Sequence, residues 1–345
     1  MATTRITLQE IADELGVSKV TVSRALKGQS GVGENLRRRV LKASQRLGYI
    51  KEKLRNEVRT RRLVFVTPRR YFLATDNFYQ TIYSHINNRC HESAIDLSVF
   101  IVSPEDERDA KLPSRLGEIE VDGLFLGGEM ARAFIDALAV LGPPLVSIDF
   151  GELPKGLDCV VADNFRLGEA AASYLVSRGY SRIGFVGGRD YSSNVADRYY
   201  GYKKVIDQSG LAWREDWILD NADRRTGHYT LDYPLPDELP EAFICHCDMA
   251  AYYLIQRLRK EGCAIPRDVA VMSFDNTELA AACEPALTSV DISKSEFAAI
   301  AYRLLDERIS GYSGPERRIY LDSAIVERDS VPPKGRPAAA GNASR

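Results

Sequence analysis

The chain of 345 residues is 45% hydrophobic and 27% charged, with a formal net charge of −2. That composition excludes collagen-like, mostly disordered and supercharged proteins, and the length suits two or three domains. The near-neutral total conceals a split, because residues 1–62 carry 15 Lys/Arg against 6 Asp/Glu, a net of +9, while the remainder carries −11. A basic head on an acidic body points to a nucleic-acid or anionic-membrane contact at one end only.

No apolar run approaches the ~18 residues that span a bilayer. The N-terminus also lacks the uninterrupted apolar core of a secretory signal, so a cytoplasmic protein with no membrane partner is expected. The cysteines at 90, 159, 245, 247, 263 and 283 include no Cys-x-x-Cys pair. They are expected to be buried thiols in a reducing compartment, without metal or disulfide. His85 and His91 are six apart on a predicted helix, which is not same-face metal spacing.

Residues 5–50 read as three short helices. Thr7 and Glu10 match a capping box, and Leu8, Ile11, Ala12 and Leu15 then recur at helical spacing up to Gly16. Ser18 caps a second helix, 19–26, with Val22, Ala25 and Leu26 inward. A third, 34–47, is expected to bury Val40, Leu41 and Leu47. Two helices joined by Gly16-Val17-Ser18 have the outline of a helix-turn-helix. Short hydroxyls and long cations (Ser18, Lys19, Thr21, Ser23, Arg24) crowd the second helix, where hydroxyls suit phosphate oxygens and a long cation reaches base edges.

This stretch resembles the N-terminal domain of the lactose-repressor (LacI/GalR) family of bacterial transcription regulators. The resemblance is carried by Ile6–Ala12, Gly16–Leu26 and Leu47-Gly48-Tyr49. It implies that Lys19, Val20 and Arg24 face operator bases, with Thr7, Ser18, Thr21, Ser23 and Lys27 completing the DNA contact. The family's hinge helix inserts a leucine into the minor groove. Here Lys51 stands at the hinge proline position and Val58 at the leucine position, with Leu54 one turn before it. Either Leu54 and Val58 form a shallow wedge, or the charged segment tracks the backbone without inserting.

From residue 63, short apolar runs alternate with helix-length segments. Strand-like runs start near residues 63, 97, 123, 144, 159, 183, 217, 242, 269 and 288. Helical stretches are expected at 78–93, 167–178, 199–209, 249–261 and 294–310. Such alternation reads as parallel, doubly wound α/β sheets, and ten strands suit two lobes with a ligand between them. The body also resembles the family's sensor domain, which shares its fold with periplasmic sugar-binding proteins. Val121-Asp122-Gly123-Leu124, Arg178–Gly188, Arg198–Tyr202 and Pro266–Asn276 carry this likeness.

The likeness implies an effector-binding arginine at Arg198, just inside a helix start, and a matching acceptor at Asp275. Phe78 and Tyr79 match an aromatic pair that borders the pocket. Ser192 and Asn194, in the polar loop before Arg198, and Asp149, ending a strand, complete the expected set. Ala222 falls where relatives place an aromatic platform, and Cys247 where many carry a polar residue. Phosphate-loop, nucleophile-elbow and zinc-protease motifs are all absent, so no enzyme and no cofactor are expected.

The expected architecture is an N-terminal all-α helix-turn-helix head (1–50) and a hinge (51–62), then a periplasmic-binding-protein-like sensor body (63–333). Lobe 1 takes about 63–162 and 292–322, lobe 2 about 163–291 and 323–333, and 334–345 is a disordered tail. The expected function is a homodimeric regulator, acting as a repressor on a pseudopalindromic double-stranded DNA operator. A small-molecule effector, a sugar or sugar derivative, would control it. The alternatives are a regulator answering to a corepressor or partner protein, and a solute-binding protein without regulatory role.

Overall fold

The computed structural model describes residues 7–26, 32–47, 60–73, 77–151, 157–223 and 226–334. The chain forms two compact units, Met1–Arg61 and Arg62–Arg345. Lys27, Leu54 and Val58 lie outside the described residues.

In the head, α1 (Leu8–Leu15), α2 (Lys19–Leu26) and α3 (Glu34–Arg46) surround a small core of Ile11, Ala12, Val22, Ala25, Val40 and Ala43. Thr7 and Glu10 close a reciprocal capping box, and Gly16 ends α1 at φ 63°, a left-handed conformation open to glycine. Ser18 Oγ accepts the Thr21 N–H at 3.1 Å, capping α2. Leu41 departs from the expectation of burial, being 38% exposed. The inward line of α3 runs Leu36, Val40, Ala43, Leu47, and a residue next to Val40 is turned about 100° away from it.

The body contains two six-stranded sheets. The first lobe holds β1 (Arg62–Pro68), α4 (Arg69–Phe72), α5 (Phe78–Glu92), β2 (Asp96–Val102), α6 (Pro104–Arg108) and α7 (Ser114–Glu118). It continues with β3 (Gly123–Gly127), α8 (Arg132–Ala139), β4 (Leu145–Ile148) and β5 (Asp158–Ala162). The second holds α9 (Asn164–Ser177), β6 (Ile183–Val186), α10 (Ser193–Gln208), β7 (Ile218–Leu219), β8 (Ala242–Cys245) and α11 (Asp248–Lys260). β9 (Ala270–Phe274), α12 (Glu278–Ala282) and β10 (Thr288–Asp291) follow. The chain then returns to the first lobe as α13 (Lys294–Ile309) and β11 (Arg318–Leu321), and crosses once more to add β12 (Ala324–Val326).

Both sheets run in one order, second strand, first, third, fourth, fifth and a late sixth. β11 joins parallel and β12 antiparallel. These two short strands, with half-exposed Ile319 and Ile325, were not among the apolar runs of the sequence. Continuous apolar strands divide by alternation, so Leu63 and Phe65 face one layer while Val64 and Val66 face another. The six cysteines form no disulfide. Lys334, assigned to the tail, is anchored: its N–H donates to the Arg178 carbonyl at 2.9 Å and its ammonium pairs with Glu241.

Two packing features hold the frame. Asp158 is fully buried at the start of β5 and accepts from Arg308 Nε at 2.9 Å, Arg317 Nη2 at 2.9 Å and the Arg317 N–H at 2.8 Å. Burial raises its pKa, yet these bonds outweigh it and hold the carboxyl below its ordinary value. A depressed pKa stabilises the fold fully above the ordinary carboxylate range and loses that stability as pH falls below ~4. Asp158→Asn should therefore cost about 3 kcal/mol at pH 7 and flatten the acid limb of a stability–pH curve. An unchanged acid limb by thermal unfolding would count against this role.

The second feature is the crossing of α9 and α10. A Cβ on Gly168 would stand 2.1 Å from the Arg198 carbonyl oxygen, and one on Gly201 2.0 Å from that of Phe165. Neither contact can yield, because both are backbone. Gly168→Ala should thus separate the helices, cost about 3 kcal/mol and displace Arg198. Calorimetry reads the loss, and a melting temperature within a degree of wild type would contradict it.

Candidate functional site

Ligands of doubly wound sheets bind beyond the carboxyl ends of the strands, and both lobes meet at such ends. β4 is followed directly by Asp149 at φ 67°, and β9, the fourth strand of the second lobe, by Asp275 at φ 95°. Each continues the ladder in the same way, Asp149 N–H to the Val160 carbonyl at 2.8 Å and Asp275 N–H to that of Val290 at 2.9 Å. The lobes therefore offer one carboxylate each from equivalent positions, both buried.

Arg198 lies beside them, 4% exposed. Its Nε donates to Asn164 Oδ1 at 2.8 Å, and its Nη1 lies 3.5 Å from Asp275 Oδ1 and donates to the His246 carbonyl. The guanidinium sits 4.7 Å over the Phe274 ring. Such a planar, always-charged fork is pre-set for hydroxyls or carboxylates. Across the cleft, Tyr79 Oη donates to Asp149 Oδ2 at 2.8 Å, while Asp149 Oδ1 is buried without a hydrogen-bond partner. Burial pushes the Asp149 carboxyl up to about 6, against the pull of Arg198 and Tyr79.

The lobes also touch directly here. Asn194 Nδ2 donates to the Asp149 carbonyl at 2.6 Å, and Ser193 donates to Glu129 through its N–H at 2.7 Å and its hydroxyl at 2.6 Å. Phe78, Tyr79, Asp149, Ser192, Asn194, Arg198 and Asp275 all line this one cleft. One local detail differs from the sequence reading. α10 begins at Ser193 with Ser192 as its cap, so Arg198 lies in its second turn and Asn194 in its first, instead of a preceding loop. The run Ser192-Ser193-Asn194 reads as loop by composition, but a capping serine is what starts a helix.

Sequence reasoning missed several lining residues, among them Arg70, Glu129, Tyr191, His246 and Tyr229. Arg70, Glu129 and His246 follow the ends of β1, β3 and β8, so the strand-end rule alone points to them. Tyr229 belongs to the stretch that departs from the family. Ala222 pairs with Tyr229 in an isolated bridge, and the Tyr229 ring stacks on His246 at 5.9 Å and 21°. An aromatic wall absent at 222 is thus supplied seven residues later. Tyr229 Oη also lies 3.0 Å from Cys247 Sγ, which caps α11. His246 is driven down to about 4 by burial and then by Arg198, so it is neutral at pH 7.

Asp248, two residues after His246, is a brace. Its buried carboxylate accepts from Ser273 Oγ at 2.5 Å, Ser289 Oγ at 2.7 Å and the Thr277 N–H at 2.6 Å, which ties α11 to β9 and β10.

In the head, α2 turns Val22 and Ala25 inward and presents Lys19, Val20 and Arg24 outward, with Val20 61% exposed. Val20 and Arg24 are one turn apart and share a face. Ser18 Oγ and Thr21 Oγ1 lie 2.8 Å apart at the start of the helix, Ser23 is half-buried, and the Thr7 hydroxyl serves the capping box.

Two family models match the chain. That of bacterial regulatory proteins of the lacI family covers residues 7–52, and that of a periplasmic binding protein-like domain covers residues 172–331. The HTH-type transcriptional repressor PurR of Vibrio cholerae serotype O1 is 27% identical over 332 residues, spanning 94% of this chain and 98% of the relative. Among solved structures, the transcriptional regulator CelR–cellobiose complex matches with a TM-score of 0.66 at 24% identity, over 94% of this chain and 100% of that one. The Escherichia coli transcriptional repressor ascG matches with a TM-score of 0.64 at 21% identity, over 79% of this chain and 100% of that one. Among the described residues, no helix is long and apolar enough to cross a membrane. Matched in that order, the chain carries a helix-turn-helix domain of the lacI family of bacterial regulatory proteins followed by a periplasmic binding protein-like domain.

Proposed function

We propose that this protein is a dimeric, cytoplasmic repressor that reads a pseudopalindromic operator with two copies of α2. A small polyhydroxylated effector in the cleft controls its grip. The carrying observation is the outer face of α2, where an exposed valine stands between long cations. An exposed apolar side chain gains no burial there, whereas a thymine methyl in a major groove gives it a partner. Lys19 and Arg24 extend far enough to reach base edges, and Ser18, Thr21 and Ser23 suit phosphate oxygens.

The cleft supports the second half of the reading. Its polar groups converge from both lobes, and the relative CelR is seen with cellobiose. A ligand touching both lobes favours one lobe arrangement by its differential affinity, which is all that allosteric control requires.

Selection from a random duplex library with the full chain, followed by footprinting, tests the DNA reading. Recovered sites should show two inverted half-sites about one helical turn apart. Recovery of no common sequence, or of a single unrepeated half-site, would refute it.

A further inference from the structure

The charges around the cleft do not balance. Arg70 is engaged by Glu107, with its Nη2 3.2 Å from Glu107 Oε1, and Arg198 faces Asp275. The Glu129 carboxylate accepts from the neutral Ser193 donors, and the Asp149 carboxylate from Tyr79 Oη, with the Asn194 amide beside it and Arg198 acting on it through space. Two carboxylates, buried or half-buried, therefore face the cleft with no ion pair within 4 Å among the described residues, and Arg198, itself facing Asp275, offsets Asp149 only in part. The charge of Glu129 adds to what holds the Asp149 carboxyl up.

From this we infer that the effector carries a protonated amine, received by Asp149 and Glu129. The inference rests on the cleft being the effector site. The buried, partnerless Asp149 Oδ1 marks the point where a donor is missing. A neutral hydroxyl would fill that hydrogen bond but leave the excess negative charge of the pair in a poorly hydrated site, which is costly. An ammonium supplies the donor and the charge together. The wall suits it too: the Tyr79 ring stands beside the carboxylates, its centroid 5.3 Å from that of Tyr71, whose own face already carries the Arg70 guanidinium, and aromatic faces attract cations. An acidic or phosphorylated ligand meets charge of its own sign there. The class assigned is thus an amino sugar or another small polar amine.

The test is calorimetric titration of the full chain at pH 7.5 with matched sets: glucosamine, glucose and glucuronate, and galactosamine, galactose and galacturonate. At least one amine should bind tenfold or more tightly than its neutral counterpart. Asp149→Asn, or the more exposed Glu129→Gln if the first fails to fold, should bring the pair within threefold. A neutral or acidic member binding as tightly as its amine overturns the inference. If Arg198→Ala also abolishes that binding, the cleft remains the effector site and only the amine falls. Binding by none of the amines overturns it as well.

Discussion

Arg198→Ala should unfold at a temperature roughly 10 °C lower than wild type and should lose all thermal stabilisation by effector. One guanidinium meets Asn164 on α9, the His246 carbonyl after β8 and Asp275 after β9, so three elements lose a common anchor. The change also removes the cation that faces Asp275 and offsets the buried charge of Asp149. Losing one partner of a buried charge pair costs about 3–5 kcal/mol, because the remaining charge stays desolvated. Arg198→Lys should recover little, since a point-like ammonium cannot reach three partners lying in different directions. Thermal scans with and without the ligand found in the titrations distinguish the outcomes. A full ligand-induced shift in Arg198→Ala would rule out its place in the binding site.

Arg24→Ala should weaken binding to the selected operator by about 10²-fold or more, with little change on random DNA. A bidentate arginine–guanine contact discriminates by ~1–3 kcal/mol, and a symmetric dimer forfeits it twice. Arg24 is exposed and makes no core contact, so the melting temperature of head and body should stay put. Fluorescence anisotropy on specific and scrambled duplexes measures the ratio. An equal loss on both would reassign Arg24 to the phosphates, as would a shallower salt dependence.

The head was legible almost to the residue because its signals are local. Thr7 and Glu10, Gly16, and Ser18 act within one turn of themselves. Leu41 was misjudged where two neighbouring apolar residues competed for one inward position, and only Val40 can fill it. In the body, long buried strands announced themselves, whereas β11 and β12 are short, half-exposed and interrupted by charge. All seven residues expected at the effector site do line one cleft, since they follow strand ends or open helices. Tyr229 stayed hidden because an irregular segment is placed by what it packs on, here His246 and Tyr253, and not by its own pattern. The Arg70–Glu107 pair was equally invisible, being joined only when β1 and β2 lie side by side.

The left-handed backbone at Asp149 and Asp275 restricts how this cleft can change its preference. Branched and bulky side chains are strained at those angles by ~1–3 kcal/mol, while Asp, Asn and Gly are tolerated. These two cleft positions can therefore draw on an alphabet of about three letters. Acid to amide is the one exchange there that alters charge while preserving shape. New specificities would have to be written mainly around these two residues, in helix-borne and segment-borne neighbours such as Asn194 and Tyr229, where the chain is free to accept other side chains.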